Sequence, residues 1–124
     1  MTYGTGIDLI EVERIKKAIN AKDSFKEKIY SADEIAYCEA TTHKFLSYAA
    51  RFAAKEAFLK ALGTGWTDSI KWSEIEILNK KQGKPFIRLT GRAKEIVDEL
   101  KINNILVSLT HIRDYASATV ILEI

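Results

Sequence analysis

Along residues 3–9, Tyr3, Thr5, Ile7 and Leu9 alternate with Gly4, Gly6 and Asp8. That is the period of a β-strand, and one of its faces carries almost no side chain. Bare glycines on a strand mean that something approaches the backbone closely. A helix is predicted next, from residue 9 or 10 to residue 20, with Ile10, Ile15 and Ile19 among its apolar positions. Asp8 and Glu11 have the spacing of an N-terminal capping pair for it. Residues 25–29 read as a short helical turn, and Ser31-Ala32-Asp33-Glu34 is a capping box that opens a helix through Ile35, Tyr37 and Cys38. The longest helix is predicted over 45–62, with His43 at its approach and Gly63-Thr64-Gly65 ending it.

The second half of the chain has the period of strands. Residues 75–78 and 85–89 flank a polar turn at 79–84 and predict a hairpin. Helical spacing returns over 92–100 through Ala93, Ile96, Val97 and Leu100. Residues 105–111 and 115–123 predict a second hairpin around Arg113-Asp114. Its last strand turns Ala116, Ala118, Val120 and Leu122 inward and Ser117 and Thr119 outward. The sum is a single α+β domain over residues 1–124, with mostly antiparallel strands packed on a long central helix.

Advancing roughly 100° per residue along the long helix gathers Ala50, Ala53, Ala54, Ala57 and Ala61 on one side. A face of small residues admits another element at close range. Lys44, Arg51 and Lys55 fall on the opposite side as an expected basic stripe. Beyond Phe45, Phe52 and Leu59 stand Glu56 and Lys60, one turn apart. By spacing alone Glu56 and Lys60 also suit an ordinary surface ion pair. Three cations with a carboxylate–lysine pair, clustered around large apolar side chains, suit a polyphosphate and a metal ion.

Composition narrows the class. The 124 residues are 47% hydrophobic and 29% charged, a globular balance in a chain the length of one domain. No apolar run approaches a membrane span, the N-terminus lacks a signal-peptide pattern, and Cys38 is the sole cysteine. A cytoplasmic protein is expected, with Cys38 as a packing residue. Nineteen basic against 17 acidic side chains leave a net charge of +2, too little to mark a nucleic-acid binder. The segment 11–30 nonetheless carries Arg14, Lys16, Lys17, Lys22, Lys26 and Lys28, which suits an acidic partner.

Four motifs, taken together, carry a resemblance over essentially the whole chain. They are Gly6-Ile7-Asp8-Leu9, the helical stretch from Arg51 through Phe52-Ala53-Ala54-Lys55-Glu56-Ala57-Phe58-Leu59-Lys60 to Ala61, Gly83-Lys84-Pro85, and Ser108-Leu109-Thr110-His111. In this order they resemble the 4′-phosphopantetheinyl transferases, in particular the short holo-acyl-carrier-protein synthases. The resemblance implies the 4′-phosphopantetheinyl transferase fold. It implies an enzyme of lipid metabolism and fatty acid biosynthesis that moves the 4′-phosphopantetheine arm of coenzyme A to a serine of apo-acyl carrier protein, giving holo-acyl carrier protein and adenosine 3′,5′-bisphosphate.

By the same resemblance Asp8 and Glu56 would hold Mg²⁺, with Mn²⁺ able to replace it, and Lys60 would stabilise the leaving phosphate. The serine's base is then either Glu56 or a water on the magnesium. Arg51, Lys55, Lys60, Lys84 and His111 become candidates for the coenzyme's phosphates. Pro85 is a candidate for the adenine, Ser108 lies in the last motif, and Gly63 and Gly65 would let backbone approach the ligand. The acidic carrier would dock on Arg14, Lys17 and Lys22, and a homotrimer with active sites between subunits is implied. Two rival readings carry different expectations. A non-catalytic anion- or nucleic-acid-binding module would ignore magnesium, and another magnesium-dependent phosphotransferase would need no protein acceptor.

Overall fold

The structure, a computed structural model, describes residues 1–21, 24–63 and 69–124. Strand β1 runs over Thr2–Glu11, followed by helices α1 (Val12–Asn20), α2 (Phe25–Ile29), α3 (Ala32–Glu39) and α4 (Lys44–Leu62). A short 3-10 helix at Trp72–Glu74 leads into β2 (Ile75–Asn79) and β3 (Pro85–Leu89). Helix α5 (Gly91–Glu99) and strands β4 (Asn104–His111) and β5 (Tyr115–Glu123) complete the chain. The strands form two antiparallel sheets, one ordered β1-β5-β4 and one the β2–β3 hairpin. The α+β expectation and both hairpins hold. Among the described residues no helix is long and apolar enough to cross a membrane.

Helix α4 lies across the inner face of the three-stranded sheet. The alanine face forms as the periodicity requires: Ala50, Ala53, Ala54, Ala57 and Ala61 are all buried. Gly4 and Gly6 on β1 explain how close the packing is. A Cβ on Gly6 would land on the Ala57 carbonyl oxygen, and one on Gly4 on the Ala61 carbonyl. Backbone therefore packs on backbone, and only glycine leaves room for it. From β5, Ala116, Ala118, Val120 and Leu122 fill the rest of that interface, the inward set that the alternation predicts.

Two expectations fail here for physical reasons. Helix α1 begins at Val12 rather than at residue 9 or 10, and Asp8 caps nothing. β1 stays paired with β5 through Glu11 opposite Tyr115, with Asp8 opposite Ala118. Ladder hydrogen bonds outweigh a local Asp-x-x-Glu spacing, whose capping contribution is only about 1 kcal/mol. The Ser31–Glu34 box does form in full at the start of α3.

The second correction concerns the basic stripe. Arg51 and Lys55 are buried, so α4 is enclosed on nearly every side. Lys55 Nζ donates to Glu34 Oε1 at 2.7 Å, to the Trp72 carbonyl at 3.0 Å and to the Ile75 carbonyl. Its three protons are thus committed within the chain. Glu34, also fully buried, accepts from the Ile77 and Ser31 backbone amides, so one pair ties α3, α4 and β2 together. Burial pulls Lys55 below the usual lysine range, and the Glu34 carboxylate opposes that pull.

Gly6→Ala tests the backbone contact. It is expected to lower unfolding stability by at least about 2 kcal/mol in chemical denaturation, since a helix carbonyl cannot rotate away as a side chain can. An unchanged midpoint would show that strand and helix are not in contact there.

Candidate active site

The alternation that aims Gly4 and Gly6 at α4 aims Asp8 there as well, two residues further along the same face. The Asp8 backbone is fixed by Ser117, whose hydroxyl donates to the Asp8 carbonyl at 2.8 Å. Lys60 Nζ donates to Asp8 Oδ1 and to the Ile7 carbonyl, both at 3.0 Å. Lys60 is therefore turned to the strand rather than engaged in a plain helix pair. Glu56 stands one turn back on α4, half-buried, and its carboxyl is held above the usual glutamate range. Desolvation is the main cause and the neighbouring Asp8 charge the second, with Lys60 pulling the other way. Asp8, Glu56 and Lys60 lie together at one locus.

Two carboxylates pressing on one another beside solvent are a donor set that a hard divalent cation relieves. Among the described residues no group of three or more His, Cys, Asp or Glu gathers to enclose a metal. Magnesium needs no such cage, because it keeps waters and accepts phosphate oxygens beside one or two carboxylates. The residues present fit it.

The remaining candidates meet elsewhere. A cleft of about 580 Å³ runs between the first half of α4, the turn of the β2–β3 hairpin and β4. Arg51, Lys84, Pro85, Ser108 and His111 all line it, joined by Tyr37, Thr41, His43, Ser47, Asn79 and Gly83. The motifs around Gly83 and Ser108 thus converge on Arg51 across long stretches of sequence. Arg51 is 3% exposed: Nη1 donates to Ser47 Oγ at 3.0 Å, Nη2 donates to Asn79 Oδ1, and the guanidinium lies 4.3 Å from the centre of the Tyr37 ring. Its Nε is buried with no hydrogen-bond partner among the described residues.

Not every expected residue joins this cleft. Lys55 is committed to Glu34, and Gly63 caps α4 at the far end, with φ of 100°. Gly65 lies outside the described residues. Arg14 and Lys17 are exposed on α1, while Lys22 also lies outside the described residues. Cys38 is buried, its thiol is pushed up by burial, and its sulfur lies 3.3 Å from Ser47 Oγ, which accords with a packing residue. Tyr37, Ser47 and Asn79 were not foreseen. Nothing in their local spacing marks them; only the fold brings them to Arg51.

Residues 4–120 match the family model described as the 4′-phosphopantetheinyl transferase superfamily. The chain belongs to that superfamily. Similar superfamily members include the holo-acyl-carrier-protein synthase of Solibacter usitatus, 47% identical over 124 residues and 99% of each chain. That of Ruminiclostridium cellulolyticum is 51% identical over 121 residues, covering 96% of this chain and 90% of its own. Among solved structures, the Helicobacter pylori synthase in complex with coenzyme A superposes with a TM-score of 0.84 at 32% identity, over 96% of this chain and 99% of that one. The superfamily fold is thereby the fold of this chain.

The raised affinity of Glu56 for a proton has a measurable consequence. A carboxyl whose folded pKa exceeds its unfolded one destabilises the fold once it must ionise, so stability falls as pH rises through that window. Glu56→Gln is expected to raise the thermal midpoint of the metal-free protein at neutral pH. The gain should vanish below the ordinary glutamate pKa of about 4.3. A gain that persisted in acid would place its cause outside this carboxyl.

Proposed function

We propose that this protein transfers the 4′-phosphopantetheine moiety of coenzyme A to a serine of apo-acyl carrier protein, giving holo-carrier and adenosine 3′,5′-bisphosphate. The observation that carries the reading is the convergence of the four motifs on two sides of α4, one bearing Asp8, Glu56 and Lys60 and the other the cleft around Arg51. Full-length similarity to holo-acyl-carrier-protein synthases, one of them named as a complex with coenzyme A, supports the substrate. Arg51, Lys84 and His111 bind the coenzyme's phosphates, and Pro85 and Ser108 line the same cleft.

Asp8 and Glu56 hold Mg²⁺, for which Mn²⁺ can substitute. When bound, the ion neutralises charge on the pyrophosphate as the phosphoryl group passes to its acceptor. The serine oxygen bonds to phosphorus, the bond to the bridging oxygen breaks, and the serine proton is released. We assign receipt of that proton to Glu56 or to a water beside it. Lys60 Nζ, half-exposed beside Asp8, meets the negative charge gathering on the departing bisphosphate.

A homotrimer with sites between subunits fits the geometry. Glu56 is five residues beyond Arg51, which on a helix is about 7.5 Å along the axis and roughly 140° around it. The acids and the cleft therefore face different ways on one chain, and a neighbour's cleft can meet each acidic pair. The outer face of the three-stranded sheet supports this, since Ile7 and Leu9 are each 65% exposed and Leu106 41%. Arg14 and Lys17 give the acidic carrier a docking surface of complementary charge. A cytoplasmic location and a role in fatty acid biosynthesis accord with this substrate pair.

The test mixes the protein with coenzyme A, Mg²⁺ and apo-acyl carrier protein and weighs the carrier by mass spectrometry. The phosphopantetheine adduct is expected, and its absence with several carriers would falsify the proposal. Asp8→Ala and Glu56→Ala should each lower the rate by at least about 100-fold, the scale of losing a charge-stabilising group. Sedimentation of the same sample reads the assembly: a monomer at assay concentration would remove the intersubunit site.

A further inference from the structure

Asn79 ends β2, and its side chain does two things at once. Its Oδ1 accepts from Arg51 Nη2, and its Nδ2 donates to the Gly83 carbonyl at 2.8 Å. The orientation of the amide is dictated by its partners, because a guanidinium only donates and a carbonyl only accepts. One flat group thereby joins a cation on α4 to the turn that presents Lys84 and Pro85. Gly83 sits at φ of 96°, and its own amide donates to the Lys80 carbonyl at 2.8 Å. The turn is thus braced from within by the backbone and from outside by Asn79.

We propose that Asn79 is a positioning residue for coenzyme A, holding Arg51 and the Gly83-Lys84-Pro85 turn in one frame so that both sides of the cleft grip the ligand together. The proposal rests on the functional reading above. Arg51 is too enclosed to search for its ligand: Ser47, Asn79 and Tyr37 fix three of its sides. A cation fixed before binding loses little freedom when an anion arrives. The chemistry also explains why the position calls for an amide. Aspartate can accept from Arg51 but cannot donate to Gly83, and it sets a negative charge where phosphates are to bind. Alanine does neither.

Steady-state transfer and guanidinium NMR test this on the intact protein. Asn79→Ala is expected to raise the KM for coenzyme A about tenfold or more, the scale of a lost hydrogen bond to a charged group. Both kcat and the KM for the carrier protein should stay within about threefold, since the change acts on coenzyme A binding rather than on the transfer step. In an Arg51→Ala background the same change should have a smaller effect, because one of the two groups that Asn79 ties is gone while its bond to the Gly83 carbonyl remains. A full, additive loss there, or an unchanged KM in Asn79→Ala alone, would overturn the proposal.

A merely structural role would lower kcat and thermal midpoint together and leave the double-mutant cycle additive. The Arg51 guanidinium resonances give a readout without turnover. They should be sharp in the native protein, broadened in Asn79→Ala, and sharp again in Asn79→Asp, whose KM nonetheless stays high. Unaltered resonances in Asn79→Ala would refute the tie itself. Lack of coenzyme A binding by the native protein would instead refute the functional reading, with the resonances still reporting on the tie.

Discussion

The contact between bare strand and bare helix sets everything else in this protein. Gly4 and Gly6 lie against the carbonyls of Ala61 and Ala57, and no side chain intervenes. That separation lets Asp8, next on the same face of β1, come within ion-pair reach of a residue on α4. A larger residue at either glycine would lift β1 from the helix and carry Asp8 away with it. The pairing of Asp8 with Lys60 thus depends on positions that bear no functional group.

Much of this was legible in the sequence, and the residues show why. Period-two alternation with glycine on one face described β1 and implied a close neighbour. The alanine spacing described the partner surface. Helical phase could not tell which way the cations of α4 point, because burial of Lys55 depends on Glu34 arriving from a different helix. A buried lysine is tolerable only with such a partner, and single-helix reasoning does not see partners. The start of α1 failed for a similar reason: the decisive hydrogen bonds come from β5, far along the chain. Asn79 was unreadable because an amide in a polar turn is unremarkable until its two neighbours are known.

The site has two halves with different physics. The acidic half is strained electrostatically, with Glu56 desolvated beside the Asp8 charge and only partly relieved by Lys60. The cationic half is stiff, its arginine held by Ser47, Asn79 and the Tyr37 ring. Coenzyme A carries groups for both: a pyrophosphate that can share a metal with carboxylates, and a further phosphate that an arginine can hold. Because the halves face different sides of one helix, the proposed assembly would let one ligand span them across two subunits.

Phosphorus NMR of coenzyme A with Mn²⁺ in place of Mg²⁺ tests this account most directly. A paramagnetic ion held by Asp8 and Glu56 should broaden the pyrophosphate signals far more than the 3′-phosphate signal, and Asp8→Asn should abolish the difference. Equal broadening of all three phosphorus signals, or selective broadening that survives in Asp8→Asn, would contradict the metal site on which the account rests.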